Sequence, residues 1–356
     1  MTTKERDIYQ ELFGLYALFK VDILADSMLE LLRVQFTPEE ADLAVKVGLG
    51  GGTLDELQQK TGMERARLQR MLATMADKGT MWTDPGREDP CYRTIGLAGP
   101  GLVEVGGWGN IRFADSVQIM KKLHDFEVDF AMKWLPAVGG PVTRVWLTPA
   151  ALPEDAAPEE NAAEVLRQAG PWGISTCSCR LPHWIADPGQ HCTYPIETCL
   201  FAGEMTRWGL EHGMCREITC EEAIATLRKC NEEGLVHTHN PKEFLCNCCY
   251  DCCVFFVGIR GTGAKILRPS EFLPSFDEST CSACGVCEDR CPVDAITLDD
   301  FPALDEEKCL GCGVCFPACP TESIQFVRRP KTEHGRATAR VTEDLAKKSK
   351  ETGRPG

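Results

Sequence analysis

Cys281–Pro292 reads CSACGVCEDRCP, and Cys309–Pro320 reads CLGCGVCFPACP. Each is C-x2-C-x2-C-x3-C-P, so the segment repeats itself within one chain. Three thiolates spaced by two residues wrap a short turn around three iron corners of a cubane. Small residues between them (Ala283, Gly285, Gly311, Gly313) let backbone N–H groups approach the sulfides. The fourth cysteine, placed before proline, turns away and ligates the other cluster. One [4Fe-4S] cluster is therefore expected on Cys281, Cys284, Cys287 and Cys319, and a second on Cys309, Cys312, Cys315 and Cys291. A pair of zinc knuckles is the bland alternative; eight cysteines with two Cys-Pro endings argue against it. A short strand is expected after each motif, at DAITL and ESIQF.

On those motifs, residues 275–327 resemble bacterial two-[4Fe-4S] ferredoxins. The resemblance implies a ferredoxin-like βαββαβ dicluster module and one-electron transfer. This stretch carries eleven acidic residues against Arg290 and Lys308, a net of −9, whereas residues 328–356 form a basic tail of net +5. Negative charge around the clusters favours low reduction potentials. An acidic block beside a basic tail suggests docking to a charged partner, and a merely solvated surface is the competing reading.

The whole chain has 356 residues, 21 cysteines and a formal net charge of −15. That charge argues against general nucleic-acid binding, which needs Lys and Arg to neutralise phosphates. MTTKERDIYQ has no charged region leading into an apolar stretch, so no secretory signal is expected. No run of eighteen apolar residues appears, so no spanning helix is expected either. An unsecreted chain this rich in thiols reads as a metalloprotein of a reducing, cytoplasmic compartment.

Residues 1–47 read as helices, with Leu12, Leu15, Tyr16 and Phe19 at helical spacing. Thr53 followed by Glu56 is a capping box. A helix opens there, turns at Thr61-Gly62, and resumes from Glu64 to Lys78. TMWTDPGREDPCYRTIG then reads as two short strands around a turn. Helix, turn, helix and hairpin resemble a winged helix within residues 48–147, with Arg65, Arg67 and Arg70 on the second helix. A packing or dimerisation role is preferred to DNA binding. GLGGGT (48–53) lacks the Lys-Ser/Thr of a P-loop and reads as a loop. GIRGTGAK (258–265) fails the same patterns, and is expected to turn a hairpin after an apolar strand at Val254–Ile259. TPAALPEDAAPEENAA (148–163) has the composition of a linker.

The middle segment, 164–274, holds Cys177, Cys179, Cys192 and Cys199, and then CNCCYDCC, which supplies Cys246, Cys248, Cys249, Cys252 and Cys253. Three uses are open. The nine thiols hold one or two further iron–sulfur clusters, with one four-thiolate set from 177–199 and another from 246–253; each vicinal pair then offers one sulfur and turns the other elsewhere. Alternatively, a pair serves as a redox dithiol, with Arg180 favouring the thiolate. In the third use, one set binds zinc. His183, His191, His237 and His239 are nearby candidates for ligation or for hydrogen bonds behind the ligands. Cys215, Cys220 and Cys230 read as structural, and Trp172, Trp184 and Trp208 as packing. C-x-C-R, CTYPIETCL, GLVH and the CNCC string together resemble ferredoxin-domain proteins of anaerobes. That resemblance implies only that the middle segment and the module belong together.

The expected fold is thus α+β: a helical and winged-helix N-terminal half, a cysteine-rich middle domain and a dicluster module. The expected function is an iron–sulfur electron-transfer protein or reductase subunit. Its partner would be a ferredoxin, a flavoenzyme or another oxidoreductase subunit, with oligomerisation through the N-terminal domain possible. A thiol–disulfide reductase and a redox-sensing regulator are the alternatives.

Overall fold

The computed structural model describes residues 7–97, 101, 104, 107–109, 116–189 and 192–330. His191 and the tail beyond Pro330 lie outside the described residues. Along the chain run α1 (Ile8–Gly14), α2 (Ala25–Gln35), α3 (Pro38–Val47), α4 (Leu54–Thr61), α5 (Arg65–Asp77), β1 (Met81–Thr83), β2 (Tyr92–Thr94) and α6 (Ser116–Asp129). Then come β3 (Thr143–Arg144), α7 (Ala162–Arg167), β4 (Trp172–Thr176), α8 (Arg180–Ala186), β5 (Glu197–Ala202), α9 (Gly203–Glu211), β6 (Arg216–Ile218) and α10 (Cys220–Glu232). The chain continues through β7 (Val236–Asn240), β8 (Phe244–Cys248), α11 (Val254–Thr262), β9 (Leu267–Arg268) and β10 (Phe272–Phe276). The last elements are α12 (Val286–Asp289), β11 (Ile296–Leu298), β12 (Pro302–Leu304) and β13 (Ile324–Arg328). The mixture of helix and strand is α+β.

Two compact units emerge, and they do not follow the sequential segments. One takes residues 1–134, 173–197 and 204–217; the other takes 135–172, 198–203 and 218–356. The middle cysteines are therefore divided: Cys177, Cys179 and Cys192 fall in the first unit, and Cys199 and Cys246–Cys253 in the second.

In the first unit, caps written in the sequence are realised. Thr37 with Glu40 and Thr53 with Glu56 form capping boxes on α3 and α4, and Gly62 ends α4 in the left-handed region. Glu64 caps α5 by accepting from the N–H groups of Ala66 and Arg67. β1 and β2 pair antiparallel, with Met81 opposite Thr94. GLGGGT is a loop whose glycines serve close approach: a Cβ at Gly51 would collide with the Tyr92 carbonyl. Trp208 is buried and stacks on Trp82 with ring centroids 4.7 Å apart. His212 bridges Asp77 at 2.8 Å and the Thr83 hydroxyl at 3.0 Å.

In the second unit β5, β8 and β7 are neighbours in that order. Both pairs are antiparallel, with Leu200 opposite Leu245 and Thr238 opposite Cys246. β10 pairs with β13 and β11 with β12, also antiparallel. Leu147, Ala151, Phe272, Ile296, Ile324 and Phe326 form the core beneath them together with Cys287 and Cys315.

Three expectations are corrected here. Val254–Ile259 is not a strand before a hairpin but the start of helix α11, which ends at left-handed Gly263. A short apolar run fits a buried strand or a buried helix equally well, and packing decides between them. The second helix of a βαββαβ module is replaced by turns at 314–318. Pro317 there removes an N–H that a helix would use. Residues 148–163 are not a bare linker: Ala151 is buried in the core, and Asp155 and Glu160 receive the guanidinium of Arg328, Glu160 at 2.8 Å.

Candidate metal centres

The two C-terminal motifs are 28 positions apart and their backbones repeat each other. Ala283 and Gly311, Gly285 and Gly313, and Asp294 and Glu322 are pairs at that offset, and all six have positive φ. Glycine takes this conformation freely; Ala283, Asp294 and Glu322 hold it at a cost that the surrounding fold must offset. The result of these bends is that backbone N–H groups aim at sulfur. Ala283 donates to Cys281 Sγ at 3.5 Å and Gly311 to Cys309 Sγ at 3.4 Å. Four residues after each fourth cysteine, Ala295 donates to Cys291 Sγ at 3.2 Å and Ser323 to Cys319 Sγ at 3.3 Å.

Two cavities lie beside these turns. One is lined by Cys281, Cys284, Cys287 and Cys319. The other is lined by Cys291, Cys309, Cys312 and Cys315. Each motif thus sends three thiols to one cavity and its fourth to the other. No charged side chain lines either cavity. Four thiols, apolar walls and backbone N–H donors suit an anionic iron–sulfide group, so the residues fit a cluster in each.

Electrostatics agree. Burial pushes the thiols of Cys287 and Cys309 up, that of Cys312 up to about 12, and that of Cys315 well above the ordinary range. A bare thiolate is disfavoured there, and bound metal supplies the compensating charge. Burial opposes ionisation at Cys319 too, but N–H and hydroxyl donors from Ser323 and Thr321 bring its thiol below the ordinary value.

The two cysteine turns differ in cover. Cys284 is exposed, whereas Cys309, Cys312 and Cys315 are all buried. Thr148 N–H donates to the Cys312 carbonyl at 3.1 Å, and the Ser270 hydroxyl to the Gly311 carbonyl at 2.6 Å. Arg329, assigned from composition to the basic tail, instead clamps this loop. It donates to the carbonyls of Ser270 at 2.8 Å, Glu306 at 3.1 Å and Cys309. Its only trace in the sequence is its position just beyond β13.

The octet CNCCYDCC is divided by strand geometry. Successive side chains on β8 alternate in direction. Cys246 and Cys248 share one face, and Asn247 points the other way with His237. Cys248 Sγ lies 3.3 Å from the Thr238 hydroxyl and within hydrogen-bonding reach of Cys246 and Cys253. The Cys246 sulfur, with burial, pushes its thiol well up, against Cys253 and Thr238. The Cys249 and Cys252 sulfurs lie within 4.8 Å of each other, with Cys252 N–H donating to Cys249 Sγ at 3.3 Å. Each vicinal pair is therefore split, Cys248 and Cys253 going one way, Cys249 and Cys252 the other. The β5–β8 register, carried one residue on from Leu200–Leu245, sets Cys199 opposite Cys246.

In the first unit, Arg180 is fully buried and donates to the Pro195 carbonyl. A hydrogen bond from Cys179, followed by Arg180, holds the Cys177 thiol well below its ordinary value against burial. Cys192 is buried. His183 packs edge-on against His124 at 4.9 Å. His237 Nδ1 lies 2.7 Å from Asn247 Oδ1, and His239 packs on Phe244 and Phe255. Among the described residues, none of these three histidines joins a group of three close metal-ligating side chains. Cys230 is buried within α10, and burial raises the Cys215 thiol to about 12.

No curated protein matches this chain, and no solved structure does. Residues 278–329 match the family model of the LdpA Fe-S cluster-binding domain. The chain therefore carries an iron–sulfur-binding region near its C-terminus, and all eight cysteines of the two cavities lie within the matched residues.

Proposed function

We propose that this chain is an electron-transfer protein or reductase subunit holding two [4Fe-4S] clusters. Cys281, Cys284, Cys287 and Cys319 hold one, and Cys309, Cys312, Cys315 and Cys291 the other. The observation that carries the reading is the exchange of the fourth cysteine between the two cavities. Zinc knuckles chelate from contiguous loops and have no use for it. A bound cluster supplies storage for single electrons. The chain's own residues supply thiolates, N–H donors to sulfur and an apolar wall that excludes water. A ferredoxin, a flavoenzyme or another oxidoreductase subunit is the proposed redox partner, and the winged-helix-like N-terminal region is proposed as a packing or dimerisation module. Arg65 and Arg67 are ion-paired with Asp55 and Glu39, which speaks against their use on DNA.

The middle cysteines are proposed to hold a further centre, iron–sulfur or zinc. The N–H to sulfur bond of Cys249-x2-Cys252 is the same device that the C-terminal turns use. A second reading, a thiol–disulfide reductase, is favoured by the lowering of the Cys177 thiol pKa by Cys179 and buried Arg180.

Iron, zinc and acid-labile sulfide per chain, counted on anaerobically purified protein, test this. About twelve or sixteen irons are expected if the middle holds cubanes, and about eight, with or without zinc, if it does not. Fewer than about eight, with zinc in their place, would sink the dicluster reading.

A further inference from the structure

The two cysteine turns have unequal access to solvent. At the first, Cys284 and its neighbours Ser282 and Ala283 are exposed. At the second, Cys309 through Cys315 is buried throughout, under contacts from Thr148, Ser270 and Arg329. A Cβ at Gly313 would press on Leu147 and Thr148, whereas at Gly285 it would meet only Leu298, at 3.6 Å. Single electrons leave a protein where the least polypeptide lies between donor and acceptor. That place is the Ser282–Cys284 turn.

The charge around the two mouths also differs. Glu278 precedes the first motif and Asp289 lies within it, two residues after lining residue Cys287; Glu322 lies between two lining residues, and Asp299 and Asp300 form the turn before lining residue Pro302. All five are exposed, and none forms an ion pair among the described residues. Beside the second cavity, Asp305 pairs with Lys308 at 3.6 Å and Glu307 with Lys265 at 3.4 Å, Arg329 adds a cation, and Asp294 and Glu306 are exposed carboxylates with no ion pair among the described residues. Unpaired carboxylates around an exposed mouth steer and hold a partner of opposite charge.

Resting on the cluster reading above, we infer that electrons cross between this chain and a separate redox protein at the Ser282–Cys284 face, and that this partner presents a cationic surface there. The second cavity is the inner one and exchanges electrons within the chain. The transfer moves one electron from the reduced chain to a one-electron acceptor, which is reduced by one; no atom moves.

Cytochrome c, a lysine-rich one-electron acceptor, serves as the probe with the full-length anaerobic protein. Its zinc-substituted form reports binding without turnover, and the ferric form reports the transfer rate. Binding should weaken steeply with salt. Glu278→Lys with Asp289→Lys should weaken it about tenfold and slow ferric haem reduction by a similar factor. Glu306→Lys with Glu307→Lys, beside the inner cavity, should leave both within about twofold. An equal or larger effect of the second pair, or no effect of either, overturns the inference. Iron and sulfide are counted in every sample. A wild-type count below about eight irons defeats the cluster reading beneath it, whereas a full count with binding insensitive to the first pair defeats this inference alone.

Discussion

The C-terminal module and the CNCCYDCC region are both dense in cysteine, yet the module presents all its ligand sulfurs from turns and the octet only part of them. In the module, thiols project from turns, and left-handed residues at fixed offsets aim N–H groups at the sulfurs. In the middle region Cys246 and Cys248 sit on one face of β8, Cys253 caps the following helix, and Cys249 and Cys252 lie in the turn between them. A turn carries its own geometry within a dozen residues. A strand acquires its geometry only from the strands beside it, so identical spacing there specifies much less.

The comparison is tested most strongly at the ligands. Cys319→Ser is expected to remove about half of the module's iron although Cys319 lies outside the first trio, and Cys291→Ser the complementary half. Electron paramagnetic resonance of the reduced variants checks whether each keeps one cluster signal. Cys249→Ser with Cys252→Ser should leave the module's signals intact. Loss of module iron in that variant would break the distinction between the two regions.

Two glycines sharpen it at the next level. Both have positive φ, but a Cβ at Gly311 would collide with the Phe272 carbonyl and the Ser270 hydroxyl, whereas Gly285 has room. Gly285→Ala is therefore expected to cost about 1–2 kcal/mol, the backbone penalty alone. Gly311→Ala should cost more, because backbone must move as well, and thermal unfolding under anaerobic conditions measures the difference.

The smallest effect belongs to the far face of β8. His237 is buried, hydrogen-bonded to Asn247, and burial lowers its pKa to about 4. Asn247 donates its amide to the Thr198 carbonyl at 2.7 Å, so its oxygen accepts and His237 carries its proton on Nδ1. The folded pKa lies below the unfolded value, so the unfolded chain binds more protons between them. The resulting stability is complete above about pH 6.5 and is lost as pH falls toward about 4. Imidazole nitrogen resonances should show the neutral Nδ1–H form from pH 8 down to about 5.5; titration near 6.5 would contradict the buried placement.

Much of the candidate site was legible because its information is local. The C-x2-C-x2-C-x3-C-P spacing placed eight cysteines in two sets of four, and Thr53 with Glu56 announced the start of α4, since a cap needs only three residues of context. Val254–Ile259 was misread because an apolar run says that a segment is buried without saying how. Arg329 was hidden because a cation near a terminus reads as solvated until something folds against it. Spacing and caps, which act over a few residues, belong to the sequence by itself. The tertiary structure alone decided which sulfur of each vicinal pair faces which group, and which of the two cysteine turns lies open to water. Both depend on strand register and on cover from residues more than a hundred positions away, such as Thr148 over Cys312. Contacts at that range are selected by burial of the whole unit, and no local pattern records them.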